Sequence, residues 1–86
     1  MMGAQELVGF LVRGLVDHPD DVTISTVEGD ASSILEVRVH ADDIELVKGD
    51  DGETLHHIKA LVSAAAGNTK AIVELLEADG ASGEEE

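Results

Sequence analysis

The sequence predicts an α+β domain in which helices pack on one face of a three-stranded sheet. Apolar residues recur at helical spacing in three segments, and they alternate with polar residues in the two segments that follow the first of these. The resulting order of elements is α-β-β-α-α-β, which favours a single sheet with helices on one side. A chain of 86 residues is long enough for one small hydrophobic core. We therefore expect one domain over residues 1–77.

The first half of the chain is predicted to contain one helix and a β-hairpin. Helical periodicity extends from about Ala4 to Asp17. Pro19 then stops the helix, because the residue before a proline is pushed out of the helical conformation. Alternating residues predict strands over Val22–Thr26 and Ile34–His40. A turn of about five residues that contains a glycine joins them into a hairpin.

The second half is predicted to contain two helices and a third strand. A short helix begins at Ala41 or Asp42, and a longer one covers Glu53–Ala66. Ala71–Leu76 is almost entirely apolar, which is typical of a strand. Residues 78–86 are too polar and too rich in glycine to pack, so we expect a disordered acidic tail there.

The composition excludes several classes of protein. No cysteine is present, which excludes disulfides, thiolate metal sites and cysteine nucleophiles. The single aromatic residue that is not histidine is Phe10, so the core must be aliphatic. No apolar run approaches the ~18–20 residues of a membrane span, and no signal peptide opens the sequence. We therefore expect a cytoplasmic protein that does not contact membranes.

The net charge of −14 is the unusual feature of the composition. Such a field repels nucleic acid and anionic membranes at low salt. It is also expected of a protein adapted to a salty cytoplasm, since the Debye length at 1 M salt is only about 3 Å. A specific cationic partner is the alternative explanation.

Two glycines separated by two residues, Gly49-Asp50-Asp51-Gly52, join the second and third predicted helices. Glycines allow a tight turn and a close approach of a ligand to the backbone. The backbone N–H groups and the start of the next helix can then face a phosphate. In KH domains a GxxG loop clamps the backbone of about four nucleotides of RNA in this way. A turn that needs glycine for geometry alone is the alternative.

From about Gln5 to Leu76 the chain resembles the small bacterial single-KH-domain RNA-binding proteins, the KhpA-type family. The matching stretches are Leu7-Val8, Leu15–Asp20, Val27–Gly29, Ile34–Val39, Asp42-Asp43, the glycine pair and Ile58–Val62. The resemblance implies a type II KH fold and binding of single-stranded RNA in the groove beside the loop. It also implies a homodimer, or a heterodimer with another KH protein.

The resemblance and the loop together give a set of candidate RNA-binding residues. These are Lys48, Gly49, Asp50, Asp51, Gly52, Glu53, His56 and Lys59. Backbone donors of the loop would contact phosphate, with Lys48 and Lys59 as the available cations.

Three carboxylates depart from the family pattern, which usually places a basic residue in the loop and another after the second glycine. Asp50, Asp51 and Glu53 crowd the place where a phosphate would bind. Two like charges about 4 Å apart repel by about 1 kcal/mol in water and more near a protein surface. RNA binding is therefore expected to be weak or salt-dependent. The alternative function is that of a degenerate KH scaffold that acts through protein–protein association without RNA.

Neither a metal centre nor catalysis is predicted. The three loop carboxylates could attract Mg²⁺ or Ca²⁺, but they lack the spaced ligands of a calcium loop. No nucleophile motif or phosphate-binding lysine motif is present, so we expect neither a cofactor nor an enzyme.

The second face of the predicted third strand is a candidate surface for protein association. Ile72 and Leu76 share a strand face with Glu74. If that face is open to water, these aliphatic side chains form an association surface. The alternatives are that the first helix covers them or that they are scattered on the surface.

Overall fold

A computed structural model describes residues 3–67 and 70–78 and confirms the predicted α+β class and order of elements. The elements are α1 (Ala4–Arg13), β1 (Thr23–Glu28), β2 (Ser32–Val39), α2 (Ile44–Lys48), α3 (Glu53–Ala66) and β3 (Lys70–Glu77). Short 3-10 turns occupy Pro19–Asp21, Ala41–Asp43 and Asp50–Gly52. Within the described part of the chain, no helix has the length and apolar composition that crossing a membrane requires.

The sheet is mixed and has the strand order β1-β2-β3, with β2 in the centre. A hairpin makes β1 antiparallel to β2, whereas β3 runs parallel to β2 after the chain has passed through α2 and α3. The register aligns Val27 of β1, Ile34 of β2 and Ile72 of β3 in one row across the sheet. Because side chains alternate along a strand, this row lies on the face opposite Leu35 and Val73.

The core is built on the face of β2 that carries Leu35, Val37 and Val39, each at most 2% exposed. The core is completed by Val8 and Val12 of α1, Val22, Val47 of α2, Ile58 and Val62 of α3, and Val73 of β3. Every member is aliphatic, as the composition predicts. Phe10 is 67% exposed on α1 and takes no part in the core.

Helix α1 is shorter than predicted, because it ends at Arg13 instead of about Asp17. Gly14 caps the helix, and glycine costs about 1 kcal/mol more than alanine inside a helix. Val16 still packs against the core after the helix has ended, which explains why the apolar periodicity extends beyond it. The apolar pattern therefore reports burial here and not helix length.

The hairpin also differs from the prediction at its boundaries. Val22 lies outside β1, because its N–H donates to the carbonyl of Pro19 at 3.2 Å and closes the preceding turn. The loop has three residues, 29–31, instead of about five, and Gly29 N–H donates to Ser32 O at 2.8 Å. Both β2 and β3 include flanking polar residues, since the backbone ladder continues past the apolar core.

The predicted disordered tail, residues 78–86, lies outside the described residues except for Ala78. The N–H of Ala78 donates to the carbonyl of Val39 at 2.7 Å, which extends the β2–β3 pairing by one hydrogen bond.

Truncating a leucine tests the position of the core. Leu35→Ala should destabilise the protein by about 2–5 kcal/mol, because it removes buried methyl groups and leaves a cavity. Leu61, which is 51% exposed on α3, is the matched control, and Leu61→Ala should change stability by about 0.5 kcal/mol or less. Urea denaturation followed by circular dichroism measures both. Equal losses for the two variants would contradict the assigned core.

Candidate nucleic-acid interface

The segment Gly49–Gly52 connects α2 to α3 in one tight turn. Gly49 has φ 77° and ψ 178°, Gly52 has φ 76° and ψ 13°, and Asp51 between them has φ 55° and ψ 23°. The N–H of Gly52 donates to the carbonyl of Gly49 at 3.1 Å and closes the turn. Three of the four residues therefore have positive φ, a region that L side chains rarely adopt.

The two glycines serve different purposes. A Cβ on Gly49 would lie 2.6 Å from the Cβ of Thr54 and 2.9 Å from its backbone nitrogen, so there is no room for a side chain. A Cβ on Gly52 would have no atom within 4 Å. Gly49 is thus required by packing against α3, whereas Gly52 is required by its φ alone and leaves its surroundings open to a ligand.

Asp51 is the one residue other than glycine with positive φ in the described ranges 3–67 and 70–78. This conformation costs most L residues roughly 1–2 kcal/mol, although aspartate and asparagine tolerate it better than others. The loop therefore places a charged side chain where glycine would fit with less strain.

A cleft of about 520 Å³ lies beside the loop and brings five of the eight predicted site residues together. It is lined by Asp51, Gly52, Glu53, Leu55, His56 and Lys59. Lys48 is exposed at the end of α2, and neither it nor Gly49 or Asp50 lines the cleft. Lys59 is consequently the one lysine or arginine in the cleft wall.

Two residues near the cleft were not among the predicted site residues. Leu55 forms part of its apolar surface while also packing against the core, and its helical spacing indicated only the core role. His57 Nε2 lies 3.6 Å from Glu53 Oε2, one helical turn away. The i, i+4 spacing of Glu53 and His57 on a helix predicts that contact.

At the site, the attraction of anions by the start of α3 is opposed by the negative charge of nearby carboxylates. The start of the 14-residue helix α3 attracts anions through its exposed N–H groups and its dipole. Asp50, Asp51 and Glu53 place three carboxylates at that same end, and all three residues are exposed. In the described segments, no group of three or more acidic or histidine side chains is arranged to hold a metal ion. The site can thus offer backbone donors and one cleft lysine to an anion, against local negative charge.

Comparison with known proteins agrees with this geometry. Residues 5–75 match the family model of the KhpA/KhpB KH domain. The chain is 39% identical over 70 residues to an RNA-binding protein KhpA of Borreliella burgdorferi, covering 81% of this chain and 85% of that protein. A protein of the same name from Clostridium perfringens is 39% identical over 74 residues, covering 84% and 99%. That of Halalkalibacterium halodurans is 41% identical over 69 residues, covering 80% and 91%. No solved structure matches the chain.

The different purposes of the two glycines can be separated by substitution. Gly52→Ala should cost roughly 1–2 kcal/mol from its positive φ alone, and Gly52→Asn should cost less. Gly49→Ala should cost more than Gly52→Ala, because it adds a collision with Thr54 to a backbone conformation that is essentially restricted to glycine. Thermal and urea unfolding of the three variants measure the order. A Gly52→Ala loss equal to or above that of Gly49→Ala would contradict it.

Proposed function

This chain belongs to the KhpA/KhpB KH-domain family, and we propose that it binds single-stranded RNA through the Gly49–Gly52 loop and the adjacent cleft. The relatives reported above are named RNA-binding proteins. The observation that carries the proposal is the open space over Gly52 beside the start of α3. The role is one of binding and not catalysis, and its place is the cytoplasm.

Backbone N–H groups of the loop carry the phosphate contacts in this proposal. The N–H groups of Gly49 and Gly52 already donate to the carbonyls of Glu45 and Gly49, so the phosphate contacts fall to the other N–H groups of the loop and of the first turn of α3. A side chain at Gly52 would occupy the space that the phosphate needs. Bases lie along the cleft, against Leu55 and the His56 ring. Lys59 supplies a cation in the cleft wall, and Lys48 supplies a second at the end of α2.

The three carboxylates set the strength of this interaction. Ordinary nucleic-acid binders lose affinity as salt rises, because they bind through cations that displace counterions from phosphates. Here two lysines face three carboxylates and a whole-chain charge of −14. Binding is therefore weak at low salt, and added salt or Mg²⁺ leaves it unchanged or strengthens it by screening the repulsion.

The test is a double variant, Asp50→Lys with Asp51→Asn, which adds three units of positive charge while the glycines keep the loop geometry. Asparagine suits the positive φ of position 51. Affinity for a fluorescent single-stranded RNA of mixed sequence should rise about tenfold, as removal of one to two kcal/mol of repulsion implies. Fluorescence anisotropy at several NaCl and MgCl₂ concentrations measures this.

The matched control is Asp30→Lys with Glu74→Gln, which changes the total charge equally in the hairpin loop and on the open sheet face. It should gain much less affinity than the loop variant. Equal gains would mean that net charge and not the loop governs binding. RNA binding by the native chain is refuted if the loop variant binds while the native protein does not at any salt or Mg²⁺ concentration.

A second candidate function is protein association through the sheet face opposite the helices. Val27, Ile34 and Ile72 form an aliphatic row there, with Val27 48% and Ile72 38% exposed. A chain that had lost RNA binding could still act through this surface, in a homodimer or in a heterodimer with another KH protein. If neither the native chain nor the loop variant binds RNA, this candidate takes precedence.

Ile72→Lys tests the homodimer. We expect the weight-average mass of the native protein to rise with concentration in sedimentation equilibrium, and that of Ile72→Lys to stay at the monomer value. The reason is that a lysine in the aliphatic row has to be desolvated on association. Leu61→Lys on α3 is the control and should behave as the native protein does. A native protein that stays monomeric at every concentration contradicts the homodimer.

A further inference from the structure

Asp43 is the one charged side chain that is fully buried among residues 3–67 and 70–78. It stands at the last position of the turn before α2. Its Oδ2 accepts the backbone N–H of His18 at 3.0 Å and lies 3.0 Å from Nδ1 of the His18 ring. Its Oδ1 is buried and has no hydrogen-bond partner in the described residues. A buried carboxylate is costly unless it is compensated, and here His18 supplies the compensation.

The ring of His18 also stacks on the ring of His40. Their centroids are 4.1 Å apart and the planes differ by 15°. Nδ1 of His40 accepts the backbone N–H of Asp42 at 3.0 Å, so that nitrogen carries no proton in this arrangement. The stack places the His40 ring flat against the ring that contacts Asp43.

Several charged groups face His18 from the elements around it. The hydrogen bond to Asp43 raises the pKa of His18, desolvation opposes this, and the charges of Asp43, Asp21 and Asp42 raise the pKa further, so that it lies above 6.5. Burial raises the pKa of Asp43, but the hydrogen bonds from the His18 ring and the His18 backbone, helped by the nearby backbone of Asp17, outweigh it. The net result is an Asp43 pKa below 3.8.

We propose that His18, Asp43 and His40 form a proton-dependent latch, which holds the linker between α1 and β1 against the start of α2 while His18 is protonated. Loss of that proton leaves the buried Asp43 carboxylate without a cationic partner and loosens the start of α2. Helix α2 has only five residues, Ile44–Lys48, so little more than one helical turn separates its start from Gly49. Loosening of that start therefore also loosens Gly49. The order of the Gly49–Gly52 loop thereby depends on pH.

The direction of the pH dependence follows from the two shifted groups. A raised pKa of His18 means that its stabilisation is complete below pH 6.5 and is lost as the pH rises through the higher folded value. A lowered pKa of Asp43 means that its stabilisation is present above pH 3.8 and is lost as the pH falls through the lower folded value. The latch is consequently closed in the weakly acidic range and opens on the alkaline side.

The test uses the full chain and two NMR measurements that do not involve RNA. Titration of the histidine ring signals should place the His18 midpoint above 6.5 in the native protein, and the midpoint should fall in Asp43→Asn, in which only the charges of Asp21 and Asp42 still raise it. Hydrogen-exchange protection factors, corrected for intrinsic rates, should fall for the amides of α2 and the loop between pH 6 and 8.5. Each whole unit by which the midpoint exceeds 6.5 corresponds to about a tenfold fall.

His18→Gln removes the titrating group and should abolish this pH dependence, and it carries the test alone if Asp43→Asn does not fold. His57→Gln, which changes a histidine on α3 that contacts Glu53 and not the latch, should keep the native dependence. The latch is refuted if His18 titrates at the same midpoint in the native protein and in Asp43→Asn. It is also refuted if protection of the loop varies with pH equally in native and His18→Gln proteins.

Discussion

The aliphatic face of β2 packs against α1 and α3, and the positions of the other elements follow from that contact. Leu35, Val37 and Val39 are buried at alternate positions, so this strand must lie under the helices along most of its length. Ile58 and Val62 fix α3 on the same layer. Once α3 is fixed, its first turn and the preceding Gly49–Gly52 loop can project only at one end of the domain. The site owes its location to the packing of the core.

The sequence predicts best those elements in which the spacing of apolar residues matches the spacing of buried positions. Alternation located β2, and the 3.6-residue period located α3 at Glu53–Ala66. The predicted end of α1 is wrong because Val16 packs against the core from a non-helical segment, and periodicity cannot tell such a residue from a helical one. The latch was not predicted either. Asp43 looks like one more acid in an acidic sequence, and its burial arises only when the linker after α1 meets the start of α2.

The candidate site shows a division between what local sequence encodes and what tertiary structure adds. The glycine pair predicted a tight turn, and five of the eight predicted RNA-binding residues line the cleft, including His56 and Lys59. The different purposes of Gly49 and Gly52 depend on where Thr54 lies, which no spacing rule supplies. The backbone of the loop suits an anion while its side chains oppose one. Geometry and charge at this site are therefore separable properties of the chain.

The parallel pairing of β3 has a consequence for how the protein folds. β1 and β2 pair through a three-residue loop, whereas Ser32 of β2 pairs with Lys70, 38 residues later in the chain. Closing the longer loop costs more chain entropy before any contact repays it, so the hairpin can assemble early and β3 joins late. During synthesis, β2 keeps one unpaired edge until the chain that forms β3, Lys70–Glu77, has left the ribosome. Among the described residues, the strand that is synthesised last, β3, is thus the one that completes the sheet.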